Sequence, residues 1–145
     1  MKTNKDLGLT LLRVIVGVVF LAHGYQKLFT YGIGGVAGSF AQIGIPAPHL
    51  SAYLATFAEF FGGTALLLGL FTRFAAIPVA ITMVVAILNV HLKGGFFAPA
   101  GVEYPLTLLV ANLALITAGG GAFAIDNLLF KKSRQERYVP QSIAA

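Results

Sequence analysis

The sequence contains no cysteine and no tryptophan, and only 10% of its 145 residues are charged. Without cysteine, the chain has no disulfide, thiol relay, iron–sulfur ligand or CxxC redox motif. A soluble domain usually carries about 25% charged residues, so this chain has too few to cover its surface in water. These absences exclude thiol chemistry and argue against a soluble globular protein.

The residues that are present are mainly apolar. Hydrophobic residues make up 57% of the chain, and the mean hydropathy is +0.84. Apolar runs fall at about 7–29, 50–70, 74–92 and 104–121. A helix of about 20 residues crosses a hydrocarbon core of about 30 Å. We therefore predict an all-α integral membrane four-helix bundle, with one transmembrane domain over 1–130 and a basic cytoplasmic tail over 131–145.

The first run also has a competing interpretation as a signal peptide, because Lys2 and Lys5 precede it. Arg13 interrupts its apolar part, and no small-x-small cleavage site follows, so we expect the run to remain as a span. The connection at 31–49 is rich in glycine and proline. Apolar residues at helical spacing within 36–43 predict a short interfacial helix there.

Basic residues predict the orientation in the membrane. With four spans, both termini and the turn at Arg73 lie on one side, which holds most of the loop and terminal lysines and arginines. The opposite side holds Lys27 and Lys93. The positive-inside rule then places both termini in the cytoplasm, in a plasma membrane or bacterial inner membrane. The net charge is +5, and the basic residues that produce it flank the apolar runs. This placement predicts contact with membrane lipid rather than with nucleic acid.

Polar residues within the spans cluster at the end opposite to the termini. A charge inside a span costs about 2.5–3.5 kcal/mol on insertion scales, so such groups usually face the bundle interior. His23 and Lys27 share one face of the first helix. The helical rise places Glu59 of the second run at a depth below the outer end of its helix comparable to that of His23. Six residues therefore form a predicted outward-facing pocket: His23, Lys27, Glu59, Asn89, His91 and Glu103.

Two interpretations of this pocket remain open. In the first, His23 and Glu59 are catalytic residues that relay protons to a redox ligand or a passing substrate, and the other four bind the ligand. In the second, Glu59 pairs with Lys27 or His23 and only fastens the first helix to the second. We predict no metal site, because the candidates come from separate elements without a local ligand spacing.

The opposite, cytoplasmic end contains Arg13, Arg73 and Asp126. We predict that Asp126 forms a structural ion pair with Arg13 or Arg73, which locks the end of the fourth helix. The three glycines at 119–121 are expected to loosen or end that helix. Residues 122–130 could continue as a short helix at the interface.

Several motifs resemble those of the DoxX family of small membrane proteins. The first-helix pattern is Arg13-x3-Gly17-x2-Phe20-x2-His23-Gly24-x2-Lys27-Leu28. The middle of the chain supplies Gly44-Ile45-Pro46, then Glu59-x2-Gly62-Gly63, then Leu68-Gly69-Leu70-x-Thr72-Arg73. Gly119-Gly120-Gly121 followed by Asp126 resembles the closing element of the family, although Gly120 stands where proline is common. The likeness covers about Leu7 to Leu129.

The resemblance implies a four-helix membrane protein with the provisional label of an oxidoreductase subunit. A related group, similar to DoxD, belongs to thiosulfate:quinone oxidoreductases. Three functions follow as hypotheses: a redox-associated subunit that binds a quinone or similar lipophilic ligand, a scaffold that docks redox or stress-response partner proteins, and a small transporter or permeation subunit. Glycine-rich faces also leave a homo-oligomer open.

Overall fold

The computed structural model describes residues 4–129, and every regular element in that range is helical. The α-helices are α1 (Asn4–Tyr25), α2 (Gly32–Gln42), α3 (Pro48–Leu68), α4 (Thr72–Ala86) and α5 (Glu103–Ala118). Two π-helical segments, Gln26–Tyr31 and Ile87–His91, extend α1 and α4, and a 3₁₀ turn follows at Leu92–Gly94. The all-helical class is confirmed, and the predicted basic tail at 131–145 lies outside the described residues.

Three helical stretches are long and apolar enough to cross a membrane: Asn4–Gln42, Pro48–Leu68 and Thr72–Gly94. They correspond to the first three predicted spans. The fourth prediction, 104–121, corresponds to α5, which is apolar but has only 16 residues and ends at Ala118. Gly119 has φ 88 and ψ −169, so the chain leaves the helix at the first of the three glycines, as the sequence led us to expect.

The first predicted run does not end near residue 29. Its helix continues through the π-helical segment, and Gly32 then connects it directly to α2. Gly32 has φ 68 and ψ 158, a backbone conformation that residues with a Cβ rarely adopt, so glycine lets the chain change direction here. The short helix predicted within 36–43 is present as part of α2, which packs on Ala52 of α3.

Glycines bring the helices into close contact. A Cβ at Gly24 of α1 would overlap the backbone of Phe60 in α3, and one at Gly63 of α3 would overlap the backbone of Leu21 in α1. Gly62 faces α4, where a Cβ would lie 2.5 Å from the side chain of Val79. Both members of the Gly62-Gly63 pair are therefore buried in packing within this chain.

Candidate functional site

A cavity of about 660 Å³ lies among α1, α3, α4 and α5, with α2 and its following loop beside it. Much of its wall is apolar. The polar part of the wall consists mainly of His23, Lys27, Glu59, Asn89, His91 and Tyr104. The structure therefore brings five of the six residues of the predicted pocket to one cavity.

The centre of this polar wall is an ion pair between Lys27 and Glu59. The ammonium nitrogen of Lys27 lies 2.5 Å from each carboxylate oxygen of Glu59. Glu59 is only 3% exposed and Lys27 is 22% exposed. An unpaired charge at this depth would be costly, and a paired one is tolerated. Of the two partners that the sequence allowed for Glu59, the structure pairs it with Lys27.

The position of the ion pair follows from the close approach of α1 and α3. Gly24 lets α1 touch the backbone of α3 beside Phe60, so the next residues of α1 arrive at the level of Glu59. Lys27 lies just beyond, in the π-helical segment. Asn89 and His91 belong to the second π-helical segment, so both such segments supply polar residues to the cavity wall. Single π-helical turns within α-helices occur frequently at functional sites.

Two histidines contribute similar groups to the wall. Nδ1 of His23 lies 2.9 Å from the carbonyl oxygen of Val19, and Nδ1 of His91 lies 3.0 Å from that of Ala100. Because a carbonyl oxygen only accepts, each Nδ1 carries the proton and donates it. In the neutral ring, Nε2 is then a hydrogen-bond acceptor. Both imidazoles can therefore accept a hydrogen bond from a ligand, or donate one when protonated.

Asn89 and Glu103 are placed differently. The amide nitrogen of Asn89 donates to the carbonyl oxygen of Val85 on its own helix, 2.9 Å away, and Asn89 lines the cavity. Glu103 is not part of the cavity wall. Its carboxylate accepts a hydrogen bond from the backbone nitrogen of Ala98 at 2.6 Å, and so holds the loop before α5. The structure thus assigns Glu103 a contact that supports the loop.

Tyr104 is a cavity residue that the sequence reasoning missed. Its ring centroid lies 6.4 Å from that of His23, with the two planes tilted by 36°. Its phenol places a group that can donate and accept a hydrogen bond in the same wall as Glu59. The sequence feature that could have identified Tyr104 is its position next to Glu103, in the first turn of the fourth apolar run.

Arg13 organises the opposite end of the bundle, and its side chain is 2% exposed. The guanidinium donates to the carbonyl oxygens of Leu66 at 2.6 Å and Leu67 at 2.7 Å, in the last turn of α3. It also donates to Gly120 at 2.9 Å and Phe123 at 3.4 Å, in the segment after α5. Carbonyls in the last turn of a helix lack donors within the helix. Arg13 therefore joins three parts of the chain through backbone carbonyls.

Asp126 binds backbone amides rather than a guanidinium group. Its carboxylate accepts hydrogen bonds from the nitrogens of Phe71 at 2.5 Å and Thr72 at 2.9 Å, at the start of α4. This is the position where a helix leaves amides without partners and where negative charge is favourable. Arg73, the other proposed partner, is exposed, and its guanidinium lies near Gly119. Among the described residues, Asp126 forms no salt bridge with Arg13 or Arg73, so this end is held in a different way from the predicted ion pair, with backbone groups as the hydrogen-bond partners of Arg13 and Asp126.

Within residues 4–129, no group of three or more histidine or acidic side chains is arranged to hold a metal ion. The groups of the described wall can form hydrogen bonds, pair charges and exchange protons. They include two imidazoles, one phenol, the amide of Asn89 and one lysine–glutamate pair.

Long helices that are apolar enough to cross a membrane, around a cavity with a buried ion pair, are the features of a small membrane protein. The chain belongs to the DoxX family, whose model matches residues 8–92. It is 36% identical over 131 residues to a Bacillus subtilis protein named "Putative oxidoreductase CatD", covering 90% of this chain and 93% of the relative.

Two further relatives carry membrane names. An uncharacterized membrane protein of Mycobacterium tuberculosis is 38% identical over 133 residues, which cover 84% of this chain and 81% of the relative. The inner membrane protein YqjF of Escherichia coli is 32% identical over 137 residues, which cover 91% and 99%. No solved structure matches the chain.

Proposed function

We propose that this protein is a redox-associated subunit of a bacterial inner membrane, and that its cavity binds a quinone or a similar lipophilic ligand. The observation that carries the proposal is the buried Lys27–Glu59 pair in the wall of a largely apolar cavity. The name of the Bacillus subtilis relative supports a link to oxidoreductases. In this proposal α5 completes a four-helix bundle, and both termini lie on the cytoplasmic side.

The chemistry of the wall fits a quinone head group. Ligand cavities of about 300–1,000 Å³ usually combine apolar walls with a few polar groups that fix orientation, and this cavity has both the size and the lining. His23 in its imidazolium form donates from Nε2–H to a quinone oxygen, its neutral ring accepts from a quinol hydroxyl at the same atom, and the apolar wall holds the ring. Reduction to a quinol takes up two electrons and two protons. A partner redox protein supplies the electrons, and Glu59 relays protons.

The first test measures ligand binding. We expect the full chain in lipid nanodiscs to bind decylubiquinone, and His23→Ala to weaken the affinity about tenfold, the loss expected for one hydrogen bond worth about 1.4 kcal/mol. His49→Ala is the matched control, because His49 lies outside the cavity wall. Tryptophan introduced as Phe40→Trp reports binding, since quinones quench indole fluorescence. An absence of quenching, or equal affinities of the two histidine variants, would contradict the proposal.

The second test concerns proton relay. Glu59→Gln keeps the shape of the side chain but removes the ionisable carboxylate that takes up and releases a proton, so we expect loss of quinone-dependent redox function in cells that express it. Glu103→Gln is the matched control, because the amide oxygen can still accept from Ala98. Both proteins are compared at equal membrane abundance. Full function of Glu59→Gln would favour the scaffold hypothesis, and a pH-dependent ion flux in liposomes would favour the transporter.

A further inference from the structure

The cavity has a gap between α3 and α4 that faces the side of the bundle. Nearer the Arg13 end, the two helices touch, since Gly62 admits Val79 and lies close to the backbone of α4. From Ala58 of α3 toward the cavity end, residues of both helices line the cavity instead, including Thr82 of α4. The helices therefore pack together along one half and are separated by the cavity along the other.

The edges of this gap are apolar and exposed. Leu54 of α3 is 63% exposed and Ile81 of α4 is 58% exposed, yet both line the cavity. Both lie within stretches that are long and apolar enough to span a membrane. Leu54 is about 9 Å from the start of α3 at 1.5 Å per residue. In the membrane arrangement proposed above, we expect acyl chains rather than water around this position.

Other elements restrict access from the end of the bundle. Phe40 of α2, with Ile45 and Pro46 of the loop after it, lines the cavity beyond Leu54. Ile45 is only 7% exposed, so this connection is packed against the bundle. The α2–α3 connection therefore forms part of the cavity wall.

The polar and apolar walls are arranged for an amphiphile. His23 comes from α1, Lys27 from the π-helical segment that extends α1, and Glu59 from α3. Leu54 and Ile81 lie at the gap, on the outer side. A molecule with a hydrogen-bonding head would place it at the ion pair, and its apolar tail would leave between the two helices.

We propose that the cavity is loaded from the lipid phase, through the gap between Leu54 and Ile81. Its ligand is a membrane-dissolved amphiphile with a long apolar tail. This inference rests on the proposed function for the nature of the head group, and adds the route and the tail. It predicts that a group blocking the gap slows the entry of the ligand into the cavity.

The composition of the chain makes a direct test practical, since it lacks both cysteine and tryptophan. Phe40→Trp places the only tryptophan of the chain in the cavity wall, where it can be excited apart from the tyrosines. Ile81→Cys in the same chain is then labelled with N-cyclohexylmaleimide to fill the gap. The matched control is Ile15→Cys, labelled identically, because Ile15 is 63% exposed on α1 and does not line the cavity. Both proteins are studied in nanodiscs by stopped-flow quenching with decylubiquinone.

We expect the label at position 81 to slow quenching about tenfold, within the range by which association rates vary at one site, and the label at position 15 to change nothing. Equal rates for the two labelled proteins, with quenching intact, would overturn the lateral route and leave the quinone proposal standing. No quenching in any unlabelled protein would instead refute the quinone proposal.

A second measurement tests the gap without a quinone. In nanodiscs made with lipids brominated in mid-chain, acyl chains that reach the cavity quench the indole fluorescence of the Phe40→Trp protein. The label at position 81 should reduce this quenching, and the label at position 15 should not. Quenching that is unchanged by either label would overturn the lateral route, whatever the natural ligand is.

Discussion

Replacement of Arg13 by alanine is expected to lower the free energy of unfolding by about 3–5 kcal/mol, because several hydrogen bonds from a charged donor are lost and each is worth about 1.5–3 kcal/mol before the structure relaxes. The guanidinium donates to carbonyls at the end of α3 and in the segment after α5. Alanine leaves these acceptors without a donor at a buried site and disconnects the closing segment from the bundle. Unfolding in mixed dodecylmaltoside and sodium dodecyl sulfate micelles, followed by circular dichroism, measures the loss.

Two further variants make this expectation specific. Arg73→Ala removes the same charge at the same end of the bundle, but Arg73 is exposed, so we expect a change within about 0.5 kcal/mol. Arg13→Lys keeps the charge and loses the planar fork that reaches several carbonyls at once, so its stability should fall between those of wild type and alanine. An Arg13→Ala protein as stable as Arg73→Ala would show that the carbonyl network contributes nothing.

Gly63→Ala is expected to destabilise the protein by about 3 kcal/mol, near the upper end for an overpacked core. Its Cβ would overlap the backbone nitrogen of Leu21 and lie 2.9 Å from the Cα of that residue. Backbone atoms cannot rotate away as a side-chain end can, so α1 and α3 must separate. The ion pair on these helices should then be lost, which a lower affinity for decylubiquinone would reveal.

Gly8→Ala serves as the control for Gly63→Ala. Gly8 lies in the first helix, is exposed, and has no atom within 4 Å of an added Cβ. Alanine is the better helix former, so stability should be unchanged or raised by up to about 1 kcal/mol. If Gly63→Ala matched Gly8→Ala, the close approach of α1 and α3 would not determine the fold.

The helices themselves were largely predictable, because membrane spans are long apolar runs whose length is set by the bilayer. The predicted runs at 50–70 and 74–92 match α3 and the stretch from α4 to the second π-helical segment within a few residues. The first run continues into α2 because Gly32 redirects the chain without a loop. The π-helical segments were missed, since apolar residues at about 3.6-residue spacing do not distinguish an extra residue in a turn.

The candidate site was predictable where simple helix geometry sufficed. The constant rise per residue placed His23 and Glu59 at comparable depth, with Lys27 one turn farther along the same face, and the structure pairs Glu59 with Lys27. Whether Lys27 or His23 would be the partner depended on how the helices rotate about their axes. Tyr104 and Glu103 are neighbours in sequence, but only Tyr104 lines the cavity.

The sequence by itself determined that this protein belongs in lipid rather than in water, and which side-chain groups are available for chemistry. The chain has too few charged residues for a soluble protein, it has no cysteine, and it carries ionisable residues inside apolar runs. All three are properties of amino-acid composition and order alone. The tertiary structure decided which groups meet. Glycines allow α1 to touch α3, so Lys27 reaches Glu59, and the separation of α3 from α4 creates the cavity. Arg13 meets backbone carbonyls instead of Asp126 because helix ends leave such groups unpaired, and no pattern of side chains in the sequence marks where those ends converge.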